Sequence, residues 1–174
     1  MPSSANWVDV QGVLIGSSTF FVAIASGGTA AAYSVDNGVT WTAATLPTSA
    51  NWSSVAFGNG RFVAVATGST AAAVSTNGTT WTAATLPSSA NWNSITFGDD
   101  VFVVVADGGT AAATSFNGTT GSWTAQTLAA SGTWEEIAYG SYTGVGIFAV
   151  AGTGSNALSI SLTSANHNLA SGPF

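Results

Sequence analysis

Ser34-Val35-Asp36-Asn37-Gly38-Val39-Thr40-Trp41 decides how this chain is read. A shortened copy returns as Ser75-Thr76-Asn77-Gly78-Thr79-Thr80-Trp81, and again as Ser115-Phe116-Asn117-Gly118 running on to Trp123. Each copy follows an Ala-rich run (Thr29 to Ala32, Thr70 to Ala73, Thr110 to Ala113) and leads into Trp-Thr-Ala, so the unit reads as strand, tight turn, strand. Asn-Gly or Asp-Asn-Gly between such strands is a strong hairpin signal, because Gly, Asn and Asp accept the positive φ of a tight turn most cheaply. The chain is a tandem repeat.

A second Trp frames the repeat. Asn6-Trp7, Asn51-Trp52, Asn91-Trp92 and Gly132-Thr133-Trp134 open four units, at spacings of 45, 40 and 42 residues. Periods near 40 with four strands per period mark the blades of a β-propeller. Unit two is the clearest: strands from Trp52 to Phe57, Arg61 to Ala66, Thr70 to Ser75 and Thr80 to Leu86, with Pro87 expected to break the pattern. The second of these is apolar on both faces, as a strand between neighbouring sheets must be. Unit one has four extra residues in its first hairpin, and unit three has Asp99-Asp100 in its first turn and Gly121-Ser122 added to its last. Unit four is degenerate: Ser159-Ile160-Ser161-Leu162 leads to no Asn-Gly and no Trp. Terminal repeats are often atypical, since an end unit has one neighbour fewer or must close the ring.

The fold expected is therefore all-β: one domain over residues 1–174, built as a propeller of four blades of about 43 residues, four antiparallel strands each. The blades run approximately over 3–48, 49–88, 89–130 and 131–174, with helix close to nil. Either the four close alone, or two chains share one ring of twice that number.

Composition removes several classes of function. Hydrophobic residues make up 46% and charged residues only 5%, against roughly 25% in an ordinary soluble domain, so Ser, Thr, Asn and Gly must form the surface. Arg61 is the single Lys or Arg beside seven acidic residues, giving a formal charge of −6. Counterion release on a phosphate backbone needs several cations, so nucleic acid is not an expected partner. The absence of Cys leaves no disulfide, thiolate metal site or Cys nucleophile. Met1 to Trp7 carries no basic segment and no apolar core, so no secretory signal is expected there, and apolar runs such as Val101 to Ala106 are of strand length, not membrane-helix length.

On these residues the chain resembles the Asp-box, or bacterial neuraminidase repeat, β-propellers. Residues 34–41 match the S-x-D-x-G-x-T-W pattern, while the copies at 75–81 and 115–123 carry Asn for Asp and are one residue short before the Gly. The resemblance implies a propeller strongly and an activity hardly at all. Such repeats occur in sialidases, photosystem assembly factors, secreted glycan-active proteins and bacteriophage virion proteins. The motif lies on the outer turn of the blade, so it transfers no catalytic residue.

A sialidase-like site is similar to an arginine triad with a Tyr/Glu pair, and Arg61 stands alone. The carboxylate pairs are Asp99-Asp100, expected in a hairpin turn, and Glu135-Glu136, expected to point to opposite faces of a strand. His167, the only histidine, sits in the degenerate tail with no sign of metal or triad partners. Trp7, Trp52, Trp92 and Trp134, with Trp41, Trp81 and Trp123, recur in register, which favours blade core over sugar contact; Tyr33, Tyr139 and Tyr142 remain as stacking residues. Asp36, Gly38, Asn77, Gly78, Asn117 and Gly118 are assigned to the repeated turns. No catalytic, cofactor-binding or metal-binding residue is assigned.

The sequence thus points to a non-enzymatic structural or attachment protein of an extracellular assembly, foremost a phage virion component such as a capsid decoration, fibre or tail knob. Its expected partners are other virion or assembly proteins and further copies of itself, as a homo-oligomer or multicopy array. A glycan-binding propeller that takes a cell-surface glycan, or a protein-binding assembly factor, is the alternative.

Overall fold

The computed structural model describes residues 1–143, 145–153, 160–161 and 170–171; His167 and most of the tail lie outside them. Among the described residues there is no helix. Twelve strands follow one another in a single antiparallel order: β1 (Asn6–Ile15), β2 (Ser18–Ser26), β3 (Gly28–Ser34), β4 (Thr42–Gly58), β5 (Arg61–Ser75), β6 (Thr82–Gly98), β7 (Val101–Asp107), β8 (Gly109–Ser115), β9 (Thr124–Tyr142), β10 (Val145–Thr153), β11 (Ile160–Ser161) and β12 (Ala170–Ser171).

The long strands each serve two blades. The start of β4 pairs with β3 (Tyr33 opposite Thr42), and its end pairs with β5 (Trp52 opposite Ala66). β6 and β9 repeat this between blades two and three and blades three and four. Pro47 and Pro87 therefore do not end their strands as expected. They lie in extended stretches that carry the chain from the outer edge of one blade to the inner strand of the next, where no ladder bond needs their missing N–H. β5 bends at Gly68, φ +72°, and supplies the second and third strands of its blade. In blade one the four extra residues add two pairs to the first hairpin, Leu14 opposite Thr19 and Ile15 opposite Ser18.

Each blade packs face to face on the next. Blade one gives Val22, Ile24 and Leu46 to the interface with Trp52, Phe62 and Trp81 of blade two. Blade two gives Val63, Val65 and Leu86 to Trp92, Phe102 and Trp123 of blade three, and blade three gives Val103, Val105 and Leu128 to Trp134, Phe148 and Val150 of blade four. The second strands are sandwiched from both sides, which is why Val63 to Ala66 and Val103 to Val105 are fully buried without alternation. The hydrophobic sides of these interfaces are large and repeated, so stability is close to a sum of neighbour-to-neighbour terms. No pairing or core cluster joins blade four back to blade one among the described residues, and the sheet is an open arc.

Candidate functional site

Where the inner strands begin, every blade has the same irregularity. The ladder skips one residue after the framing Trp: Trp7 and Asp9 pair with consecutive residues of β2, Trp52 and Ser54 with those of β5, Trp92 and Ser94 with those of β7, and Trp134 and Glu136 with those of β10. The skipped residues are Val8, Ser53, Asn93 and Glu135. A β-bulge of this kind turns two successive side chains toward one side of the strand. Here that side is the axis of the arc, where all of them but the buried Ser94 border a cleft of about 350 Å³ with Gln11, Thr96, Val55, Ile95 and Ile137.

The expectation that Glu135 and Glu136 diverge on opposite strand faces is thus overturned: both border the cleft. Simple strand alternation fails because the bulge falls on Glu135. Asp99 and Asp100 do occupy a hairpin turn at positive φ, outside the cleft, where Tyr139 donates its hydroxyl to Asp99 Oδ1 at 3.1 Å.

The cleft lining also fastens the blades. Asp9 Oδ2 accepts from Val55 N at 2.8 Å and from Ser54 Oγ at 2.9 Å. Ser54 Oγ accepts in turn from Ile95 N at 3.3 Å, and Ser94 Oγ accepts from Ile137 N at 3.2 Å while donating to Glu136 Oε1 at 3.0 Å. One residue earlier, Ser53 Oγ donates to Trp92 O at 2.8 Å and Asn93 Nδ2 to Trp134 O at 3.1 Å. Two repeat positions thus build a relay from blade to blade. Asp9, Ser54 and Ser94 were not singled out in the sequence; their signal is recurrence, a polar residue two places after each framing Trp.

Electrostatically the cleft is one-sided. Asp9, Glu135 and Glu136 border it, and Arg61 does not. No group of three or more His, Cys, Asp or Glu able to hold a metal is found among the described residues. Asp9 and Glu136 are engaged in the relay, which leaves the exposed Glu135 as the carboxylate without a blade-to-blade role. The cleft offers polar acceptors and a negative field, suited to amide N–H or cationic groups and unsuited to anions.

The repeated turns lie away from the cleft. Asp36 accepts from Ser34 Oγ at 2.7 Å, Thr40 N at 2.8 Å and Thr40 Oγ1 at 2.6 Å. Those bonds, the Thr40 hydroxyl foremost, hold its carboxyl at about 2 instead of 3.8. Asn77 and Asn117 do the same work with an amide oxygen, accepting from Thr79 N and Thr119 N, each at 3.0 Å. Gly38, Gly78 and Gly118 follow at positive φ. Trp41 and Trp123 donate their indole N–H to Gly38 O and Gly118 O at 3.0 Å, whereas Trp81 Nε1 is buried with no partner. Trp52, Trp81, Trp92, Trp123 and Trp134 are buried at 9% exposure or less, and Trp7 and Trp41 of the first blade are only partly covered.

No protein-family model matches the chain, and no curated protein matches it by sequence. Solved structures do. Virginiamycin B lyase from Staphylococcus aureus superposes with a TM-score of 0.77 at 16% identity over 100% of this chain and 58% of its own. YCF48 bound to a D1 peptide superposes with a TM-score of 0.62 at 18% identity over 91% of this chain and 55% of its own. The computationally designed protein Ika4 superposes at 0.61 and 13% identity over 87% of this chain and 88% of its own. At such identities the likeness speaks to fold, which is that of a β-propeller, and this chain spans just over half the length of the lyase and of YCF48. No helix among the described residues is long and apolar enough to cross a membrane.

Proposed function

We propose that the chain is a non-enzymatic structural or attachment module that works through its central cleft. The observation that carries this reading is the use made of the cleft's acids. A general acid or nucleophile needs a carboxyl free to exchange protons with substrate, and with Asp9 and Glu136 spent on bonds between blades, Glu135 is left without a second free carboxyl to work beside it. One of the similar propellers is an enzyme, but 16% identity transfers no residue role.

The setting favoured by the near-uncharged Ser, Thr, Asn and Gly surface is an extracellular assembly, and most specifically a phage virion, with the chain as a capsid decoration, fibre or tail knob. Purified particles from the source organism should carry the chain in fixed copy number through a density gradient. A chain that stays in the soluble fraction and turns over a glycoside, losing that turnover on Glu135→Gln, would overturn the proposal.

A protein-binding role is the second reading. It is favoured by the cleft's acceptor-rich lining, which suits backbone amides, and by the peptide carried by YCF48 on the same fold. The glycan-binding alternative is weakened by the burial of the Trp residues in blades two to four.

A further inference from the structure

The two ends of the arc leave exposed the positions that every internal blade boundary buries. In blades two to four the residue three places after the framing Trp is buried: Val55 is 3% exposed, Ile95 5% and Ile137 2%, yet the same position in blade one, Val10, is 53% exposed. Phe21 and Trp41 are likewise only partly covered, where Phe62, Phe102 and Trp81 are buried by a preceding blade. The opposite face repeats the pattern at the other end. Ala149 and Ala151 of β10 are exposed, whereas Val22, Ile24, Val63, Val65, Val103 and Val105 at their positions are 0% exposed beneath a following blade.

We infer that a second copy of the chain closes the arc, blade four of each copy packing on blade one of the other, so that two chains share one ring. Three observations converge on a second copy as occupant. Both exposed faces are apolar at the register positions that pair inside the chain, with the smaller Ala149 and Ala151 of blade four standing where the other blades have Val or Ile, so each end can meet the other end of an identical molecule. The contact is head to tail, and such a contact closes when the rotation completes a turn. Virginiamycin B lyase, on which the arc superposes at a TM-score of 0.77, is a longer propeller chain, of which one copy of this chain covers 58%. Two copies supply a number of blades at the upper end of the known range of roughly four to eight.

The seam differs from the internal interfaces in one way. Glu135 and Glu136 stand where Asn93 and Ser94 donate to the next blade, and in the ring they would adjoin the second copy's Asp9. The charged groups facing each other there are these three carboxylates, so the native seam is weaker than an internal one.

Light scattering across a concentration series tests the inference. Wild type should pass from 17.2 kDa to twice that mass and no further. Glu135→Asn with Glu136→Ser, which copies the blade-three residues onto blade four, should tighten the association. Val10→Asp and Ala149→Asp, both at exposed positions of the single chain, should each weaken it about a hundredfold, since each buries an unpaired charge at the seam. Mixing these two variants should restore part of the association, because the mixed pair keeps one intact seam. A chain that stays single at every concentration, grows into open filaments, or associates regardless of Val10→Asp would overturn the inference.

Discussion

Gly118, in the outer turn of blade three, lies so close beneath Val63 of blade two that a Cβ placed on the glycine would meet Val63 Cγ2 at 2.5 Å. Gly78 has the same relation to Val22 at 2.6 Å and to Phe20 Cε1 at 2.5 Å. In blade one, which has no preceding blade among the described residues, Gly38 meets nothing nearer than its own Phe21 at 3.8 Å. The repeated turn is thus a docking element as well as a hairpin.

Gly38→Ala, Gly78→Ala and Gly118→Ala should separate by this difference. All three incur the left-handed backbone cost of about 1–2 kcal/mol. Gly78→Ala and Gly118→Ala should lose a further ~1–3 kcal/mol to overpacking. Urea midpoints for the three variants would check it, and equal losses would show that docking contributes nothing.

Trp81→Ala should destabilise by ~3–5 kcal/mol, as for any large aromatic removed from a core. Trp81→Phe should cost much less than Trp123→Phe, because Trp81 Nε1 has no partner to lose, while the Trp123 indole gives up its bond to Gly118 O, a bond worth about 1 kcal/mol. Thermal melts of the two Phe variants make the comparison.

The Asp36 turn should be sensitive to acid. The folded carboxyl titrates near 2, below its ordinary 3.8, so the ionised form is favoured by folding. Its contribution is complete above the unfolded value and is lost as pH falls through the folded one. Asp36→Asn, which imitates Asn77 and Asn117, should flatten the dependence of the melting temperature on pH between about 4 and 2. An unchanged slope would assign that dependence to other carboxyls.

Asp9→Ala should cost ~1–3 kcal/mol by leaving the Val55 N–H without its acceptor, whereas Asp9→Asn, which keeps an acceptor oxygen, should cost less. Amide exchange at Val55 is the direct readout, expected to quicken in the Ala variant only.

The repeat made the blades readable in advance: Asn-Gly turns, paired Trp positions and strands apolar on both faces each have a local physical cause. What escaped was the cleft. Strand alternation sends Glu135 and Glu136 apart, and only the ladder shows the bulge that brings them together, because a bulge depends on which partner residue is skipped and not on the residue's own type. The continuity of β4 and β6 through Pro47 and Pro87 was hidden for a related reason: a proline ends a strand only where its N–H is needed, and here it is not.

The bulge also separates two kinds of mutational freedom. The Trp before it is fixed by packing in blades two to four, while the residue within it already differs in every blade, as Val8, Ser53, Asn93 and Glu135. A lineage carrying this fold can therefore redress its axial surface one blade at a time, trying new recognition chemistry in the rim of the cleft while the hydrophobic seams that keep the molecule folded stay untouched.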